Sequence, residues 1–133
     1  MTSATTLPMA AFVREVRRRC DGALDPVEMG RFLAASRIEP ASLDDFVRFA
    51  PGRYTRHLVH KDVDVELLVL CWARGASAPI HGHEGKHCWA RVERGRLEFR
   101  NYRETSRAPL ILERSAWWTA DPGTSTVPPT STP

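Results

Sequence analysis

Residues 54 to 72 read YTRHLVHKDVDVELLVLCW, and the spacing of their apolar side chains decides the fold. Tyr54 to Val59 and Val63 to Trp72 are rich in β-branched and apolar residues. The second run alternates Val63, Val65 and Leu67 against Asp64 and Glu66, then becomes apolar on both faces. Side chains two apart share a face of a strand, so the pattern predicts two β-strands. Downstream, His87 to Glu93 and Arg96 to Tyr102 read as further strands. Arg94 and Gly95 between them predict a tight hairpin in which Gly95 takes the positive φ. Leu110 to Leu112 begins another strand.

Upstream the period lengthens to that of a helix. Met9, Phe12, Val13 and Val16 recur near 3.6 residues, and Gly22 is placed to stop that helix. A second helix is signed by Asp25 as cap, Pro26 in the first turn and Glu28 completing a capping-box pattern, with Val27, Met29, Phe32 and Leu33 on its apolar side. Ser42 is expected to cap a third, short helix carrying Leu43, Phe46, Val47 and Phe49, ended by Pro51 and Gly52. Helices over residues 1–50 followed by antiparallel strands over 51–120 predict one α+β, mainly β domain whose strands form a sandwich or barrel. From Asp121 the chain reads DPGTSTVPPTSTP, and this Pro, Ser and Thr content predicts a disordered tail over residues 121–133.

Length and composition agree with one soluble domain. The 133 residues suffice for one core, and 42% hydrophobic with 26% charged residues is an ordinary globular balance. The net charge of +3 is mild; the run Arg14, Arg17, Arg18, Arg19 reads as a solvated helix face, and no aromatic interleaving accompanies it, so no nucleic-acid partner is expected. The apolar stretch from Leu7 to Val13 is interrupted by Pro8 and followed by Arg14, unlike a secretory signal. Three cysteines at no disulfide or zinc spacing fit a reducing compartment. The expectation is a cytoplasmic monomer with no membrane partner.

Chemistry concentrates between Gly75 and Gly95. In a strand, His81 and His83 would point to the same side about 7 Å apart at Cα, within reach of one metal ion. Two surface or core histidines explain that spacing equally well. The wider frame adds to it: Gly75, five residues, His81, one residue, His83, four residues, Cys88, six residues, Gly95. This resembles the first motif of the cupin superfamily, with Cys88 where a glutamate is usual, as in the iron-dependent cysteine dioxygenases of the animal type. Ile80-His81-Gly82-His83 and His87-Cys88 look like that family's strings. Tyr54-Thr55-Arg56-His57-Leu58-Val59 is similar to its YTRNLV, and Leu70-Cys71-Trp72 to its LCW.

The resemblance implies a cupin-like antiparallel β-sandwich or barrel under an N-terminal helical cap, holding one Fe(II) per subunit with His81 and His83 as two ligands. Neutral imidazoles leave the ion its full charge, which favours a substrate thiolate. The implied reaction takes a small thiol, L-cysteine, and O2 to cysteine sulfinic acid. Arg56 would take the substrate's carboxylate in its planar fork, its alternative being a strand-surface arginine. Tyr54 shares its face and would line the same pocket, or simply pack. His87 and Cys88 match pocket residues, although alternation sets His87 opposite Cys88. On pattern alone Cys88 falls with Ala90 and Val92 as a small buried hydrophobe. The family's thioether between this cysteine and a late tyrosine has no counterpart, since Tyr102 is the last tyrosine. Glu84 should face away from His83, and Cys20 and Cys71 read as structural. Another small thiol such as 3-mercaptopropionate, or a non-catalytic cupin that binds a small molecule, are the alternative readings.

The family takes a third iron ligand from a second motif, yet no histidine follows His87. The sandwich implied here is therefore incomplete and iron retention is expected to be poor, His57 and His60 sitting on no recognisable ligand spacing. A frame slip near Arg114 is the sharper reading of residues 115–133. Joining each third codon base from Ser115 onward to the next two permits a string containing Pro-Gly-Asp-Ile-His-Arg-Ala-Ser-Asn, which looks like the missing motif. Trp117 and Trp118 become Val and Asp there without free choice. A natural flexible terminus is the alternative.

Overall fold

The computed structural model describes residues 4–79, 87–123 and 125–126. The chain divides into two compact units, Met1–Pro79 and Ile80–Pro133. Among the described residues helices are confined to the first unit, strands dominate the rest, and the architecture is mainly β.

Two helices, α1 (Met9–Cys20) and α2 (Pro26–Ala35), build the core of the first unit. The period of about 3.6 sets Met9, Phe12 and Val16 on one buried seam of α1, and α2 answers with Met29 and Leu33. The Phe12 ring stacks on Phe32 with centroids 5.5 Å apart. As the sequence predicts, Asp25 caps α2: its Oδ1 accepts the backbone N–H groups of Val27 (3.0 Å) and Glu28 (3.3 Å). The arginine run departs from its reading as one solvated face. Arg17 and Arg18 are exposed, but the Arg19 side chain is only 13% exposed, with Nη1 2.6 Å from Glu15 Oε2 and Nε 3.1 Å from Glu28 Oε1. Its guanidinium lies 4.0 Å over the Phe32 ring. Arg19 sits three residues beyond Val16, on the inward seam, and is tolerated there because two carboxylates and a π-face meet its charge.

Two further features of the first fifty residues depart from the helical reading. Thr5–Leu7 (β1) and Ser36–Ile38 (β2) pair in parallel, Leu7 opposite Ile38. Such short strands carry no period, and each lies across two helices from its partner. The third helix, α3 (Pro40–Asp44), begins after Glu39 and not at Ser42. Ser42 is inside it, and its Oγ accepts the Met9 N–H (2.9 Å) and donates to the Glu39 carbonyl (2.9 Å). The hydroxyl thus satisfies an orphan donor at the start of α1 instead of capping its own helix. Phe46, Val47 and Phe49 lie beyond α3, and Phe49 is exposed.

After Gly52 the chain turns into the antiparallel pair β3 (Tyr54–Lys61) and β4 (Glu66–Trp72), with Tyr54 opposite Trp72 and Arg56 opposite Leu70. The second strand starts later than its alternation predicts, and Val63 is 99% exposed. The reason is Asp62. Its Oδ1 accepts the N–H groups of Asp64 (2.8 Å) and Val65 (2.9 Å), and its own N–H bonds the Val65 carbonyl (2.9 Å). An aspartate-built turn takes the donors that a longer strand would need.

In the second unit, β6 (Leu97–Arg107) and β7 (Leu110–Ala120) form a long hairpin in which Phe99 stacks on Trp118, centroids 5.6 Å apart. Gly95 takes the expected positive φ of +75°, but the strands on either side of it do not pair with each other. The strand expected over His87 to Glu93 shrinks to β5 (Ala90–Arg91), whose partner is β8 (Ser125–Thr126). That partner, the Gly123 N–H on the Val92 carbonyl (2.8 Å) and Arg96 Nε on Asp121 Oδ1 (2.8 Å) all lie in the stretch read as a tail. Each sheet among the described residues is two-stranded.

Candidate functional site

The face of β3–β4 that carries Tyr54 and Arg56 is built by simple alternation. Tyr54, Arg56 and Leu58 stand opposite Trp72, Leu70 and Leu68, so these six share one side of the ribbon. At one end the Tyr54 ring stacks on Trp72, centroids 5.5 Å apart and planes 18° from parallel. The packed alternative for Tyr54 is therefore realised, with Trp72 as a partner that the sequence reading missed. Arg56 stands in the middle with its side chain 58% exposed, between Leu58 and Leu70, which are also exposed. Among the described residues it has no hydrogen-bond partner. Its nearest counter-charge is Glu66 Oε1, 3.9 Å from Nη2.

A register shift between Leu58 and His60 inserts Val59 as an extra residue and brings Lys61 opposite Glu66. Glu66 is consequently shared, its Oε2 lying 3.6 Å from Lys61 Nζ. No pattern in the sequence marks this bulge.

His57 and His60 are committed elsewhere. His57 Nε2 lies 3.2 Å from the Arg48 carbonyl and 3.0 Å from Thr55 Oγ1, and that hydroxyl itself donates to the Arg48 carbonyl. His60 Nε2 lies 2.6 Å from Asp62 Oδ2, which is also 3.3 Å from Arg17 Nε. Bonding to the His60 imidazole, then to the two backbone N–H groups of the turn, holds the Asp62 carboxyl down from 3.8 to about 2. A depressed carboxylate contributes stability that is complete above its unfolded value and lost as pH falls through the folded one. The advantage of the wild type over Asp62→Asn is thus expected to be full above pH 3.8 and to vanish near pH 2. Urea titrations of both proteins across that window check it, and an advantage unchanged at pH 2 refutes it.

In the second unit His87 is exposed and stacks on Trp89, centroids 5.6 Å apart. Cys88 is half-buried, and that burial pushes its thiol above the ordinary range, so it is a neutral thiol and no ready nucleophile. Cys71 is buried and Cys20 half-buried, in line with structural roles. His81, His83 and Glu84 lie outside the described residues. Among the described residues no group of three or more His, Cys, Asp or Glu side chains could hold a metal ion, and no helix is long and apolar enough to cross a membrane.

The face of β3–β4 thus presents a partly exposed arginine, loosely paired with Glu66, two residues from a stacked tyrosine on a mainly β chain. The particular family comes from comparison. The family model for cysteine dioxygenase type I matches residues 1–115, and the chain belongs to that family. Cysteine dioxygenase type 1 of the rat is 33% identical over 72 residues, and the human protein of that name 31% identical over 72. The zebrafish protein is likewise 31% identical over 72 residues. Each alignment covers 53% of this chain and 36% of the relative, so the matched stretch spans about a third of those proteins.

Proposed function

We propose that this chain is the core of a non-haem iron thiol dioxygenase that oxidises the thiol of L-cysteine with O2 to cysteine sulfinic acid. The observation that carries this reading is the family match, which runs through His81 and His83 and includes Arg56 on the open face of β3. His81 and His83 would hold the metal. Fe(II) when bound supplies the chemistry that lets a closed-shell thiol react with O2. Arg56 would orient the substrate by its carboxylate, a two-point contact that lysine could not reproduce. Tyr54, fixed against Trp72, would wall that pocket, and His87 and Cys88 are proposed as the further catalytic residues that the family strings imply. The fold proposed for the working protein is a closed cupin sandwich with α1–α3 as its helical cap. A cytoplasmic monomer, acting without nucleic acid or membrane, completes the proposal.

The third imidazole is proposed to be encoded in the shifted frame after Arg114, so that the chain as written is impaired. The match to the family model ends at residue 115, at the codons where that frame begins. Sequencing the coding DNA tests the frame, since a prompt stop codon or a missing histidine codon refutes it. The activity is tested on the reframed protein by O2 consumption with L-cysteine, 3-mercaptopropionate and cysteamine. L-cysteine is expected to be turned over fastest and Arg56→Ala to lose most of the rate. Equal rates with cysteamine, which lacks the carboxylate, would reject the role given to Arg56.

A further inference from the structure

The open face of β3–β4 holds a carboxylate of the protein's own within reach of the arginine assigned to the substrate's carboxylate. Glu66 Oε1 lies 3.9 Å from Arg56 Nη2, beyond hydrogen-bond range, while its Oε2 lies 3.6 Å from Lys61 Nζ. All three side chains are partly exposed and share one face, Glu66 with Arg56 by alternation and Lys61 through the bulge at Val59. Resting on the Arg56 reading above, we infer that Glu66 is a resident competitor for Arg56, restraining its guanidinium in the empty protein and yielding it to an anionic ligand. Lys61 sets the strength of that competition by holding the other oxygen of Glu66. The distance is what makes the device reversible. A bidentate, hydrogen-bonded pair would have to be broken before a ligand could bind, whereas a loose ion pair leaves the five N–H donors of Arg56 free to turn towards it. Glu66 thereby becomes a specificity element: it opposes weak monoanions and is overcome by a ligand with a second point of attachment.

The test uses the reframed protein loaded anaerobically with Fe(II), phenylglyoxal as an arginine reagent, and peptide mass spectrometry to read the modification of Arg56 alone. Exposed ion pairs carry energies that translate to about two- to five-fold in an equilibrium. Glu66→Gln is therefore expected to speed Arg56 modification by that factor, and to lower by the same factor the L-cysteine concentration that protects it. Lys61→Gln should act in the opposite direction, slowing modification, because Glu66 is then left to Arg56 alone. Both effects should shrink in high salt. A merely structural role for Glu66 would not give variants of opposite sign. Unchanged rates in Glu66→Gln, or a shift of the same sign in both variants, would overturn the inference. Rates that shift as expected while L-cysteine protects no better than cysteamine would leave Glu66 acting on Arg56 but remove Arg56 as the carboxylate anchor.

Discussion

Loaded anaerobically with Fe(II) and then desalted, the purified chain is expected to retain far less than one iron per molecule, and the His81→Ala/His83→Ala double variant less still. The reason is the size of the donor set. His81 and His83, the proposed ligands, would leave the remaining positions of the ion to water, and each lost protein ligand removes both a bond and the pre-organisation that makes the next bond cheap. Removing even an outer-shell partner of a metal ligand typically costs about 10- to 100-fold in affinity. A missing ligand should cost at least the upper end of that range. His57 and His60 are not ready replacements, because their Nε2 atoms are engaged by Thr55 and Arg48 and by Asp62. Reading the DNA in the shifted frame from Ser115 should therefore raise iron affinity by roughly 100-fold or more. In that protein His81→Ala alone should bring it back down. A colorimetric iron assay after desalting decides the matter. One tightly held iron in the chain as written, with cysteine-dependent O2 uptake, would refute the impairment and the need for a third imidazole from another frame.

The parts of this molecule that were legible in its sequence are those where one local force dominates. Asp25 and Pro26 announce α2 because a cap is a contact between neighbours, and the structure shows that contact, whereas Glu28, read as the other half of the box, pairs with Arg19 instead. Tyr54 and Arg56 share a face because alternation is a property of the strand itself, and β3 is where the pattern placed it. Legibility fails where a side chain chooses between two local partners or a distant one. Val63 continues the alternation of its strand, but Asp62 captures the backbone donors and turns the segment into a loop. Ser42 resembles a cap and serves a different helix. Arg94 and Gly95 look like a two-residue hairpin, yet β5 pairs with Ser125–Thr126 and β6 with β7, choices that depend on long-range pairing and not on the turn. The same holds for the candidate site. Arg56 is visible as a residue type within a family string and Glu66 shares its face by plain alternation along β4, whereas Lys61 joins that face only through a bulge that no residue pattern encodes.

Phe12→Ala is expected to destabilise the helical part of the first unit by about 3 kcal/mol or more, the range found when a buried phenylalanine is truncated. Phe12 is 3% exposed on the seam of α1, and its ring is the floor of a stack: Phe32 lies on it at 5.5 Å, and the Arg19 guanidinium covers Phe32 at 4.0 Å. Removing the Phe12 ring therefore costs more than its own contacts. Phe32 loses the surface that fixes its orientation, and Arg19, held between Glu15 and Glu28, loses the π-face that helps offset its desolvation. The surroundings cannot collapse cheaply into the gap, because Met9, Val16 and Met29 are themselves buried and tied to helix positions. A small unit with a net stability of roughly 5 kcal/mol would then keep only about 2 kcal/mol, an unfolded fraction of roughly a few per cent at ambient temperature. Urea melts followed by helical circular dichroism check this, with Val27→Ala, at an exposed position of α2, as the reference that should barely move. A loss below about 1 kcal/mol for Phe12→Ala would mean that the seam of α1 does not pack on α2 as the stacked rings require.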